Sequence, residues 1–149
     1  KNDKMQKRFN FKEAAPNALK AMVGLEMYLS KASLPKTTKE LIKIRASQIN
    51  GCAYCIDLHT KDARKYGETE QRIYLLNAWR EVDFYSEEER AILALTEEIT
   101  LISNGGVSDE TYQKAASLFD ENYLSNIIMA IITINAWNRI AISTNKTIV

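Results

Sequence analysis

The sequence predicts an all-α, single-domain antiparallel bundle of about six to seven helices, and three observations carry that prediction. Apolar residues recur at spacings of three and four, as in Ile92, Leu95, Ile99 and Ile102. No run alternates strictly between apolar and polar residues within turn boundaries, so no strand is predicted. Only 5 Gly and 2 Pro occur in 149 residues, too few for a loop-rich or all-β chain.

The elements follow from local signals. Pro16 suits a first helical turn and opens a helix through about Ser30. Thr37 with Glu40 three residues later matches a capping box, which opens a second helix to about Ile49. Asn50-Gly51 stops it and turns the chain. A third helix runs from about Cys52 to Tyr66 and ends at Gly67, and a fourth covers about Thr69 to Trp79. Ser86 with Glu89 forms a second capping box, opening a fifth helix to about Ser103, broken by Asn104-Gly105-Gly106. Ser108 caps the sixth, with Asp109 and Glu110 at its positive end. The last runs from about Tyr123 to Thr144.

Short loops make consecutive helices antiparallel neighbours, and no linker divides residues 1–149. Residues 1–9 read as a flexible, basic, solvated tail. The final helix is apolar around most of its circumference, through Leu124, Ile127, Ile128, Ile131, Ile132 and Ile134. A helix of this kind is buried in a core or in a subunit contact, and a homo-oligomer is expected. Asn135, Asn138 and Arg139 on that helix therefore require buried or intersubunit partners.

Composition excludes several classes. Lys+Arg is 20 and Asp+Glu is 19, a net charge of +1, which gives no electrostatic case for nucleic acid or an anionic membrane. No apolar run reaches the roughly 20 residues of a membrane span. No segment reads as a targeting signal, so a cytoplasmic location is expected. With 2 Cys and 1 His the chain is neither a disulfide-dense scaffold nor a multi-His metal protein. A covalent c-type haem would need His directly after Cys55, where Ile56 stands. No metal and no cofactor is expected.

Both cysteines and the single histidine lie together in Cys52-Ala-Tyr-Cys55-Ile-Asp-Leu-His59. Spacings of three and four put all three side chains on one helical face. Two Cα atoms at i,i+3 are about 5–5.5 Å apart, within disulfide range. The Asn50-Gly51 break sets the cysteines in the first helical turn, where unpaired N–H groups and the macrodipole favour a thiolate. His59, one turn beyond Cys55, is a side chain that can take or give a proton. The cluster thus has the parts of a dithiol redox centre. Other readings stay open: a structural pair of small apolar cysteines, a thiol–disulfide exchange or redox-sensing module, or a metal site with Glu40 as a further ligand. Glu40 reads first as a helix cap, and second as a carboxylate able to orient His59. Asp57 and Asp62 read as solvated helix positions.

The stretch from Glu40 through Arg45, Asn50-Gly51 and Cys52 to His59 resembles the carboxymuconolactone decarboxylase-like superfamily, in its alkylhydroperoxidase D-like branch. The pattern is Glu twelve residues before the first Cys of CxxC, then His four after the second. The resemblance continues through Asn77-Ala-Trp-Arg-Glu81, Glu89 to Glu97 and Asn135-Ala-Trp-Asn-Arg139. It differs in carrying Tyr54 between the cysteines, where the best-known alkylhydroperoxidases have a histidine. The resemblance implies an all-helical fold assembled as trimers or hexamers, and antioxidant reduction of a hydroperoxide substrate. By that resemblance Cys55 would attack the peroxide, Cys52 would resolve the product, and His59 with Glu40 would relay protons. An external thiol or dithiol reductant would then reopen the disulfide. Helix position alone instead favours Cys52 as the more acidic thiol.

Overall fold

The computed structural model of the chain describes residues 6–148. Among the described residues it contains helices and no strands. Asn10 caps a short helix α1 (Phe11–Ala14), its side chain accepting from the Lys12 N–H. Ala15 then leaves helical geometry ahead of Pro16, as a pre-proline residue must, and α2 runs Pro16–Lys31. The remaining elements are α3 (Lys36–Asn50), α4 (Ala53–Lys65), α5 (Glu70–Tyr74), a 3₁₀ helix (Leu76–Glu81), α6 (Glu87–Thr100), α7 (Asp109–Leu118) and α8 (Glu121–Ser143).

The all-helical, single-domain expectation is met, with an added short helix α1 and four further local differences. Thr37 does not cap α3: the helix starts at Lys36 after Pro35, with no side-chain cap. Glu40 therefore lies beyond reach of the helix start, free for another partner. The predicted fourth helix is broken. The Tyr85 hydroxyl donates to the Arg72 carbonyl, which an unbroken α-helix would use itself. The chain tightens to 3₁₀ geometry, where Leu76 and Trp79 eclipse and both are buried. The fifth helix stops at Thr100 rather than Ser103. The last begins at Glu121 because Asp120 accepts from the Tyr123 N–H as its cap.

Helix α3 is the hub and packs against α4, α6 and α8. Ile42 and Ala46 face Ile92, Leu95, Ile127 and Ile131 in the main core. On its other side Leu41 and Ile44 meet Ala63, Leu76, Trp79 and Leu93. α8 is central as expected: Ile127, Ala130, Ile131 and Ile134 are buried. Its outer face keeps Ile128 and Ile132 exposed. No helix among the described residues is long and apolar enough to cross a membrane.

Of the tail expected over residues 1–9, residues 1–5 lie outside the described residues. Arg8 donates its backbone N–H to the Thr144 carbonyl (3.1 Å) and its guanidinium to the Ser143 carbonyl (3.0 Å). A cation thus meets the negative end of α8.

Candidate active site

The site is built on the turn between α3 and α4. Gly51 adopts a left-handed φ of 69°, a conformation that costs an L-residue with a Cβ about 1–2 kcal/mol. The Cys52 N–H returns to the Ser47 carbonyl (3.0 Å), closing the end of α3. Cys52 becomes the N-cap of α4, and its Sγ accepts from the Cys55 N–H at 3.3 Å. Cys52 and Cys55 are joined in a disulfide across a Cα separation of 5.3 Å. Both are buried, at 2% and 3% exposure, and they pack with Ala141 and Tyr54.

A ladder of amides holds this turn against α8. Asn50 Nδ2 donates to both Asn135 Oδ1 and Asn138 Oδ1, each at 2.9 Å. Asn138 Nδ2 donates to Ser47 Oγ (2.9 Å), and Asn135 Nδ2 to Thr100 Oγ1 (3.0 Å). The expectation of buried partners for Asn135 and Asn138 is met inside the protomer. That those partners fix the CxxC turn could not be read from periodicity.

His59 lies one turn beyond Cys55, and its Nδ1 is 3.0 Å from Glu40 Oε2. The other Glu40 oxygen accepts from Lys43 Nζ at 3.2 Å. Glu40 is 4% exposed, so both interactions are sheltered from solvent. Against an ionised carboxylate, which only accepts hydrogen bonds, Nδ1 is the donor, and in that tautomer Nε2 is the nitrogen left open. Asp62, on the same helix, brings a carboxylate oxygen within 4.8 Å of ligand atoms of both His59 and Glu40. Among the described residues these three side chains form the group whose ligand atoms lie close enough to hold a cation, although Lys43 already pairs with Glu40. Asp57 pairs with Lys61 on the exposed face of α4, as a solvated position should.

A cavity of about 450 Å³ opens beside this group. Cys55, Leu58 and His59 line it from α4, Trp137 and Ile140 from α8, and Phe9 from the N-terminal segment. Cys52 is not part of its wall. The four residues singled out by sequence thus converge: Cys52 and Cys55 bonded, His59 on Glu40, and Cys55 and His59 facing one cavity. The contributions of Phe9, Lys7 and Lys146 to that cavity were missed. Each comes from a chain terminus, where no periodic pattern points to a destination.

The sequence pattern of the carboxymuconolactone decarboxylase family matches residues 14–98. The chain belongs to that family. The chain is 52% identical over 139 residues to the uncharacterized protein YdfG of Bacillus subtilis strain 168, covering 93% of this chain and 95% of that protein. A crystal structure of a protein of unknown function from Agrobacterium tumefaciens, provisionally placed with the antioxidant defence protein AhpD, superposes with a TM-score of 0.92. It is 39% identical, with 95% of this chain and 97% of that one covered. The debrominase Bmp8 shares the fold at 22% identity and a TM-score of 0.82, over 92% of this chain and 74% of its own. The all-helical AhpD-like fold expected of this carboxymuconolactone decarboxylase family member is therefore the observed one.

Proposed function

We propose that the chain is a thiol-dependent peroxidase that reduces organic hydroperoxides through Cys52 and Cys55. The observation that carries this reading is a bonded CxxC pair of which one member, Cys55, faces a cavity alongside a histidine oriented by a buried carboxylate.

The cycle starts from the reduced pair. His59 Nε2 takes the Cys55 thiol proton, and the thiolate attacks the distal peroxide oxygen. The O–O bond breaks, the alcohol leaves with the proton from His59, and Cys55 holds a sulfenic acid. The Cys52 thiol, whose sulfur lies at the Cys55 N–H in the bonded pair, attacks the Cys55 sulfur, and its proton goes to the departing hydroxyl. Water leaves and the disulfide forms, so two electrons have passed from the pair to the peroxide. An external thiol or dithiol reductant, itself oxidised to a disulfide, returns the pair to two thiols. Cys55 takes the attacking role because it lines the cavity and Cys52 does not.

The test is peroxide consumption coupled to a dithiol reductant. The wild-type chain should turn over organic hydroperoxides, and Cys55→Ser should not. With the reductant left out, Cys52→Ser should consume one equivalent and stop as a sulfenic acid visible by mass spectrometry. Full turnover by Cys55→Ser would refute the role assignment, and an inert wild type would refute the activity.

A further inference from the structure

The cavity beside Cys55 carries a feature that thiol chemistry does not require, a cation held at its rim by the end of the chain. After α8, Asn145 adopts a left-handed φ of 49°, a conformation asparagine tolerates better than most side chains. The chain reverses, and the Lys146 N–H donates to the Ala141 carbonyl at 2.9 Å. The Lys146 ammonium then sits 4.1 Å from the centroid of the Tyr54 ring. Tyr54 packs on the disulfide, and Tyr54, Cys55 and Lys146 all line the same cavity.

The charges around it do not cancel. The lining contains Lys7, Lys12, Lys43 and Lys146 against Glu26 and Asp62. Lys43 pairs with Glu40 and Asp62 with Lys65, and Glu26 accepts from Trp137 Nε1 at 3.0 Å. Among the described residues no carboxylate lies within ion-pair distance of Lys146, Lys7 or Lys12. The walls below are mainly apolar, with Phe9, Leu19, Leu58, Trp137 and Ile140. An apolar chamber with an uncompensated cation at the rim is complementary to an amphipathic anion.

We propose that Lys146 is a specificity-determining residue that receives the carboxylate of an amphipathic organic hydroperoxide, whose hydrocarbon chain lies along the apolar wall toward Cys55. The identity of the ligand as a peroxide rests on the peroxidase reading above; the carboxylate site itself does not.

The test therefore has two arms. In the first, decanoate and decanol are titrated against the oxidised chain and followed by the fluorescence of Trp137, which lines the cavity. Decanoate should bind about ten-fold more tightly, with the preference lost in Lys146→Gln and retained in Lys146→Arg. In the second, a fatty-acid hydroperoxide and its methyl ester are compared as substrates. The ratio of their KM values should favour the acid and fall about ten-fold in Lys146→Gln, again with rescue by Lys146→Arg. Equal affinity for decanoate and decanol in the wild type, or a preference that survives Lys146→Gln, overturns the proposal. A decanoate preference that depends on Lys146, in a chain that turns over neither hydroperoxide, leaves the carboxylate site standing and removes the peroxidase reading.

Discussion

His59 owes its usefulness to which of its nitrogens is occupied. Glu40 takes Nδ1 at 3.0 Å, which in the proposed cycle leaves Nε2 as the base, and Lys43 holds the other Glu40 oxygen. A glutamine at position 40 offers either its amide oxygen or its NH₂ to His59, so the tautomer is no longer imposed. His59→Gln should lower kcat/KM for peroxide about 100-fold, the low end of general acid–base contributions. Glu40→Gln should lower it less and alter the pH–rate profile, measured as kcat/KM against pH. A His59→Gln variant with wild-type rates would remove the proton relay from the mechanism. The three residues Cys52, Cys55 and His59 were legible because helical spacing alone puts them on one face. Glu40 was legible only in part. Its apparent capping partner Thr37 sits inside the helix, since Pro35 moves the start two residues earlier. The distance to His59 depends on how α3 folds back on α4, which no local pattern encodes.

At the scale of elements, a polar clamp fastens α3, α6 and the 3₁₀ helix to one another. Glu97 on α6 accepts from Arg45 Nε on α3 (2.9 Å), Trp79 Nε1 (2.8 Å) and Arg80 Nη1 (2.6 Å) in the 3₁₀ helix. Burial alone would raise the Glu97 carboxyl, but the hydrogen bonds from Arg80, Trp79 and Arg45 outweigh it and hold the group below its ordinary value of 4.5. A depressed folded-state value means that the stabilisation is complete above the unfolded value. It is then lost as pH falls through the lower folded-state value. Urea midpoints should thus decline as the pH drops below about 4.5, and Glu97→Gln should flatten that decline while costing about 2 kcal/mol at neutral pH. An acid limb of unchanged steepness in the variant would show that other carboxylates govern it. The break between α5 and the 3₁₀ helix belongs to the same scale. Arg72 joins Glu68, Glu89 and the Phe84 carbonyl. Those partners lie up to seventeen residues along the chain, so propensity read locally extends one helix through the whole segment.

For the whole molecule, the unresolved balance lies on α8. One side of this helix fills the core through Ile127, Ile131 and Ile134, which a single chain satisfies. The opposite side leaves Ile128 and Ile132 at 39% and 44% exposure, one turn apart on one stripe. The exposed Ile142 lies further along the same helix. β-branched apolar residues on a water-facing stripe gain nothing from solvation, and burying them against a second copy removes that area from water at about 25 cal/mol per Å². The near-neutral chain, at +1, offers little electrostatic resistance to self-association. We therefore expect the protein to assemble through this face, as a trimer or hexamer by its family resemblance. Sedimentation equilibrium should give a mass three or six times that of the chain. Ile128→Glu combined with Ile132→Glu should return it to a monomer that keeps the helical circular dichroism of the wild type, because neither side chain contributes to the core. A wild type that sediments as a monomer, or a double variant of undiminished mass, would place the subunit contact elsewhere or dispense with it.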